Sequence, residues 1–212
     1  MDMYVQCENV TKQIKDTVIL NHINLSVDKG TILGIRGHNG SGKTMLLRAI
    51  AGLIKLSEGK VRVDNKIIGK DTPFPDNVGV LIEYPSFIPD YTGLNNLLFL
   101  AKINNKIDES VVRETIRLVG LDPDDKRKYK KYSLGMKQRL GIAQAIMESP
   151  DLILLDEPTN ALDEKGVALM VQIIKDLKAK GKAIILTSHD RDFLEQAADE
   201  IYTISEGVMT HG

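Results

Sequence analysis

Only one cysteine, Cys7, occurs in 212 residues, which rules out an internal disulfide and suits a reducing compartment. Neither sign of charge is in surplus. Lys+Arg count 28 against 29 Asp+Glu, for a formal net charge of −1, so the chain offers no electrostatic footprint for nucleic acid. The one concentrated basic run, Lys126-Arg127-Lys128-Tyr129-Lys130-Lys131, follows Asp122, Asp124 and Asp125 and reads as a solvated face rather than a binding patch. No secretory signal is recognisable, and no apolar run approaches the roughly 18 residues a membrane span needs, so nothing here is expected to cross a membrane by itself. Low-complexity linkers and internal repeats are missing too. The length then allows one large domain, or one domain with an insertion, with ample core.

What is present begins with Gly37-His38-Asn39-Gly40-Ser41-Gly42-Lys43-Thr44, which fills every fixed position of G-x-x-x-x-G-K-[ST]. Thr31 to Arg36 (TILGIR) reads as a short buried strand feeding a glycine turn, and glycine permits both φ > 0 and close approach of backbone to a ligand. Backbone N–H groups of residues 39 to 44 can then surround phosphates, and the helix beginning near Lys43 adds the positive end of its dipole. Lys43 should reach the β- and γ-phosphates of a nucleoside triphosphate, and Thr44 should hold Mg²⁺.

A second element supports this reading. Asp151-Leu152-Ile153-Leu154-Leu155-Asp156-Glu157-Pro158 is an apolar strand ending in adjacent acids. An unbroken apolar run suits a central parallel strand covered on both faces, and its C-terminal end is where such sheets bind ligands. Asp156 is expected to meet Mg²⁺, directly or through water, and Glu157 to polarise the attacking water as general base.

The rest of the chain organises around these motifs. The patterns predict strands near 3–7, 18–27, 31–36 and 60–68, with 18–27 as an antiparallel edge, and a further strand from Val78 to Ile82 that ends at Glu83. From Leu94 to about Ile146 three helical patterns succeed one another, forming an insertion of about 84–150 between core segments 1–83 and 151–212. The chain then returns to strand 152–156, helix 164–180, strand 183–187, helix 191–198 and a hairpin closing around Glu206-Gly207. The expected fold class is α/β: a P-loop nucleotide-binding fold with a mostly parallel central sheet, an antiparallel β edge and an inserted helical subdomain.

In this order the motifs resemble those of the nucleotide-binding subunits of ABC transporters, and the resemblance covers nearly the whole chain. Tyr132-Ser133-Leu134-Gly135-Met136-Lys137-Gln138-Arg139 resembles the family signature LSGGQ and the residues just after it. Thr159-Asn160-Ala161-Leu162-Asp163 resembles the D-loop, and His189 within Thr187-Ser188-His189-Asp190 the switch histidine. The resemblance implies that two ATPase subunits, alike or different, sandwich two ATP molecules between the phosphate loop of one and the signature of the other. Ser133 and the Gly135 N–H would then supply donors to the γ-phosphate in trans. His189 would contact that phosphate and order the water and Glu157, while Asp163 would couple the two sites.

Three places depart from the family pattern. Leu134 and Met136 replace a signature glycine and glutamine. Glu83 stands at the Q-loop position, where a carboxylate can still ligate Mg²⁺. Ile14 stands where an adenine-stacking aromatic is expected, so apolar contact would replace stacking. Tyr4 could substitute, although an ordinary strand residue is the plainer reading. YSLGMKQRL together with IEYP is similar to bacterial exporters of the bacitracin-resistance and lantibiotic-immunity type. The resemblance therefore implies an ATP- and Mg²⁺-dependent ATPase at the cytoplasmic face of the membrane, docked on a separate permease and touching neither nucleic acid nor the transported substrate. Residues 84–105 are the expected docking surface, with Phe87, Ile88 and Tyr91 either its anchors or a local core beneath the insertion. The chain stops soon after the closing hairpin, so control by a C-terminal regulatory domain is not expected. The alternatives are a non-transport ATPase of the same family and a nucleotide sensor that does not turn over.

Overall fold

The structure, a computed structural model, describes residues 3–211. Strand β1 (Met3–Ile14) and strand β2 (Thr17–Asp28) pair as an antiparallel hairpin. β1 runs well past the 3–7 segment that its alternation predicts. Val5 and Cys7 point inward, then Asn9 adopts a left-handed backbone (φ 50°), the register with β2 slips, and burial resumes at Val10 and Thr11. A bulge of this kind moves the inward face by one residue and so breaks the period of two.

After β3 (Ile32–Arg36) and α1 (Lys43–Ile50), the expected single strand over 60–68 is instead two, β4 (Glu58–Val63) and β5 (Lys66–Ile67). They are joined by Asp64 and Asn65, whose φ values of 50° and 63° are those of a type I′ hairpin turn. Then come β6 (Val78–Leu81), α2 (Gly93–Asn104) and α3 (Glu109–Leu118). A 3₁₀ turn at Tyr129–Lys131 leads to α4 (Leu134–Ile146). The chain ends with β7 (Leu152–Asp156), α5 (Glu164–Ala179), β8 (Ala183–Ser188), α6 (Arg191–Ala197), β9 (Glu200–Ser205) and β10 (Val208–His211). Glu206 and Gly207, both at positive φ, close the final hairpin as expected.

Two sheets result. One is antiparallel in the order β2-β1-β4-β5, with β2 at its edge; the other runs β10-β9-β3-β8-β7-β6 and is parallel except for the β9–β10 pair. Every residue of β7 and β8 is buried, which is why their sequences run apolar without alternation. Pleating sends Leu152 and Leu154 into a core shared with α1 and the antiparallel sheet, and Ile153 and Leu155 into a second core with α2 to α6. Helix α1 is thus wedged between two sheets, and the loop before it is held at the C-terminal edge of β3. The predicted class, a mostly parallel sheet with an antiparallel β edge and a helical insertion, is the architecture observed.

The basic run is solvated as expected. Arg127 pairs with Asp125, and Lys128 and Lys130 with Asp90. Tyr129 within it is buried, edge-on to Phe87 at a centroid distance of 5.2 Å.

Candidate functional site

The loop between β3 and α1 is shaped by its glycines. Gly40 and Gly42 lie at φ 81° and 111°, which L side chains rarely adopt. A Cβ at Gly37 would sit 2.5 Å from both the Ile204 carbonyl oxygen and Ser41 Oγ. Gly42 caps α1 without a side-chain acceptor, so the first-turn N–H groups face the loop's cavity unpaired within the helix. That cavity, about 450 Å³, is lined by His38, Asn39, Gly40, Lys43, Thr44 and Glu157 among others. Ser41 Oγ is buried without a hydrogen-bond partner. Orphan donors at a helix N-terminus beside a buried lysine form an anion cradle.

Lys43 is 6% exposed, and its ammonium donates to the carbonyl oxygens of Gly37 (2.6 Å) and His38 (3.2 Å). Glu157 Oε1 lies 3.2 Å from it but accepts no aligned hydrogen bond, so that contact is a charge pair rather than a donor–acceptor one. The other carboxylate oxygen, Oε2, accepts from His189 Nδ1 at 2.9 Å. A carboxylate only accepts, so His189 Nδ1 is the donor in this bond. Glu157 itself sits at φ 47°, outside ordinary L-residue space. Its N–H donates to the carbonyl (3.2 Å) and hydroxyl (3.1 Å) of Thr187, and its carbonyl accepts from buried Gln138 Nε2 at 3.1 Å.

Asp156 ends β7 buried, with Oδ2 accepting from Thr44 Oγ1 at 2.8 Å and Oδ1 from Thr187 Oγ1 at 2.6 Å. The Thr44 hydroxyl, which lines the cavity, and the Asp156 carboxylate bonded to it are hard oxygen donors suited to Mg²⁺. Among the described residues no group of three or more His, Cys, Asp or Glu could hold a metal alone. Glu83 has a different partner. It sits at φ 62° and accepts from Arg48 Nη2 at 2.7 Å. Ile14 is half-exposed at the β1–β2 turn, whereas Ile19 lines the cavity. Tyr4 is buried under Lys29, whose ammonium is 4.5 Å from its ring centroid, and is a strand residue.

The other predicted residues assemble elsewhere. Ser133 caps α4, its side chain accepting the Met136 N–H at 3.2 Å. A Cβ at Gly135 would come 2.7 Å from the Ala161 carbonyl oxygen, so glycine there lets α4 approach the 159–163 turn. Asp163 caps α5 through the Gly166 N–H (2.9 Å) and pairs with Arg139 (3.3 Å). Ser133, Gly135 and Asp163 share a second cavity of about 530 Å³, and no residue lines both it and the phosphate-loop cavity. Sequence reasoning missed Thr187, Gln138, Arg48 and Ile19, all ordinary strand or helix residues whose roles depend on partners far along the chain.

Comparison with known proteins agrees with this geometry. Residues 20–160 match the family model described as ABC transporter. The chain is 45% identical over 203 residues to the ABC transporter ATP-binding protein YybJ of Bacillus subtilis (strain 168), covering 96% of this chain and 93% of that one. It is 39% identical to the bacitracin transport ATP-binding protein BcrA of Enterococcus faecalis (98% of this chain, 68% of that one). To the lantibiotic transport ATP-binding protein SrtF of Streptococcus pyogenes it is 34% identical (96% and 87%). The dimeric structure of the cassette MJ0796 superposes with TM-score 0.88 at 26% identity and 98% coverage of both chains. Its dimeric post-hydrolysis state, bound to ADP and Pi, gives 0.86 at 26% identity and the same coverage. The motifs, the two-sheet architecture and these matches together place the chain in the ABC transporter ATP-binding family.

Proposed function

We propose that this ATP-binding and ATP-hydrolysing subunit energises a separate membrane permease of the exporter type, with the side chains around its phosphate loop dividing the work of hydrolysis. The observation that carries the proposal is the convergence of Lys43, Thr44, Asp156, Glu157 and His189 at the C-terminal edge of the parallel sheet. The N–H groups of the loop and first turn of α1 hold the phosphates. Lys43, bound here to loop carbonyls and paired with Glu157, turns to the β- and γ-phosphates when nucleotide enters, which frees the Glu157 carboxylate. Glu157 then takes a proton from the attacking water, and His189 orients both. Thr44 and Asp156 would hold Mg²⁺, whose charge would neutralise that of the phosphate oxygens. Glu83 is assigned to the same ion and would have to leave Arg48 to reach it.

The separation of the two cavities favours a composite site. Ser133 and Gly135 line a different cavity from Lys43, so their donors complete a phosphate site across a dimer, with Asp163 linking the halves. Among the described residues no helix is long and apolar enough to cross a membrane, and transport is assigned to the permease. The docking face is the exposed side of residues 84–105: Ile88, Tyr91, Phe99 and Ile103 are exposed, while Phe87 packs on Tyr129 as part of the local core. Segment 84–150 is the inserted subdomain that carries both this face and the signature.

The test is magnesium-dependent ATP hydrolysis by wild type and Glu157→Gln, run beside size-exclusion chromatography in ATP. The expected result is loss of turnover in the variant together with an ATP-stabilised dimer. Turnover unchanged in Glu157→Gln would overturn the assignment of the base.

A further inference from the structure

The two acids that end β7 are joined by a side chain from the neighbouring strand. Thr187 stands beside Asp156 in the parallel β7–β8 register and is fully buried. Its hydroxyl has one hydrogen. A carboxylate can only accept and an amide N–H can only donate, so the polarity of this bridge is fixed: the hydroxyl gives its hydrogen to Asp156 Oδ1 (2.6 Å) and accepts the N–H of Glu157 (3.1 Å). Asp156 Oδ2 accepts from Thr44 Oγ1 at 2.8 Å. Hydrogen bonds donated towards Asp156 from both sides therefore link the first turn of α1, through Asp156 and Thr187, to the backbone of Glu157.

That backbone needs holding. Glu157 sits at φ 47° and is followed by Pro158, which restricts the residue before it. Its N–H is shared between the carbonyl and hydroxyl of Thr187, and its carbonyl is held by Gln138. The hydroxyl is the member of this set that also fixes the rotation of the Asp156 carboxylate.

The geometry points to Thr187 as a positioning residue for ATP hydrolysis, its hydroxyl locking the metal-side acid and the base into one unit. The inference rests on the roles proposed above for Asp156 and Glu157. A valine keeps the β-branched shape and volume of threonine, so Thr187→Val removes the hydroxyl and little else. Residues that support metal-side groups typically account for about 10–100-fold in metal affinity or activity. Thr187→Val should therefore lower kcat by about that factor. In the Glu157→Gln background, where turnover is not the readout, it should raise the Mg²⁺ concentration for half-maximal ATP binding by roughly tenfold. Thr187→Ser restores the hydroxyl and should recover most of both quantities, with melting temperatures measured alongside. Wild-type kcat and Mg²⁺ requirement in Thr187→Val would overturn the inference. So would Thr187→Ser impaired as severely as Thr187→Val, since shape would then be what matters. Absence of magnesium-dependent hydrolysis in the wild type would overturn the functional reading and this inference with it, and is told apart because it appears before any substitution.

Discussion

Glu83 has one arrangement in the structure and a different one in the proposed mechanism. Its carboxylate accepts from Arg48 on α1, both side chains being partly exposed, and exposed pairs of this kind are worth about 0.2–1 kcal/mol. For Glu83 to serve the metal, that pair must break first. Arg48→Ala should therefore lower the Mg²⁺ concentration for half-maximal hydrolysis by about 1.5–5-fold, the same energy expressed as a ratio. Glu83→Gln should remove the difference between the Arg48 variants. A Mg²⁺ titration of the four proteins checks both statements, and an Arg48→Ala requirement equal to wild type would dismiss Glu83 as a ligand. Cys7 gives a second residue-scale expectation. Burial pushes its thiol up to about 12, so the folded protein should resist alkylation at neutral pH and react only as β1 opens. Labelling across a urea titration should track unfolding.

Among the glycine positions, the one with least room for a side chain is Gly79, where β6 packs on α4. A Cβ at Gly79 would lie 1.8 Å from the Ala145 carbonyl oxygen and 2.7 Å from Pro150 Cγ, so the strand or the helix must retreat. Gly79→Ala should cost about 1–3 kcal/mol or more, as overpacking does, visible as a lower urea midpoint. The effect should extend to hydrolysis because α4 also carries Gln138. These elements differ in how plainly the amino acids announce them. β7 and β8 are legible because a strand covered on both faces must be apolar throughout, and the phosphate loop because only glycine, lysine and a hydroxyl meet its demands. β1 is half hidden by the bulge at Asn9, and β4–β5 reads as one strand because Asp-Asn makes a turn without glycine. The acids at 156 and 157 are legible as chemistry. What holds them is not, since Thr187 looks like any β-branched strand residue and finds its partners only through the β7–β8 register.

For the molecule as a whole, the separation of the two cavities matters most. The phosphate-loop cavity and the signature cavity share no lining residue, and the cassette MJ0796, which this chain resembles in fold, is dimeric; the proposal is that each cavity supplies half of a site. Mixing two inactive variants tests this directly. Lys43→Ala spoils one half-site and Ser133→Arg the other, so each alone should be inactive as a homodimer. In a mixed dimer one composite site combines both lesions and the other combines neither. Equal mixing should therefore restore about a quarter of the wild-type rate, since half of randomly paired dimers are mixed and each holds one intact site of two. No recovery would speak against sharing of the site.

On the proposed sharing of sites between two chains, the same separation would set the kinetic order of the reaction. When chains are dilute relative to their association, the active species forms with the square of concentration, so ATP consumption per chain rises in proportion to the amount of protein. A cell holding few copies would burn almost no ATP through them. A scaffold that gathers two copies in one place would act as a throttle on energy use before any cargo arrived.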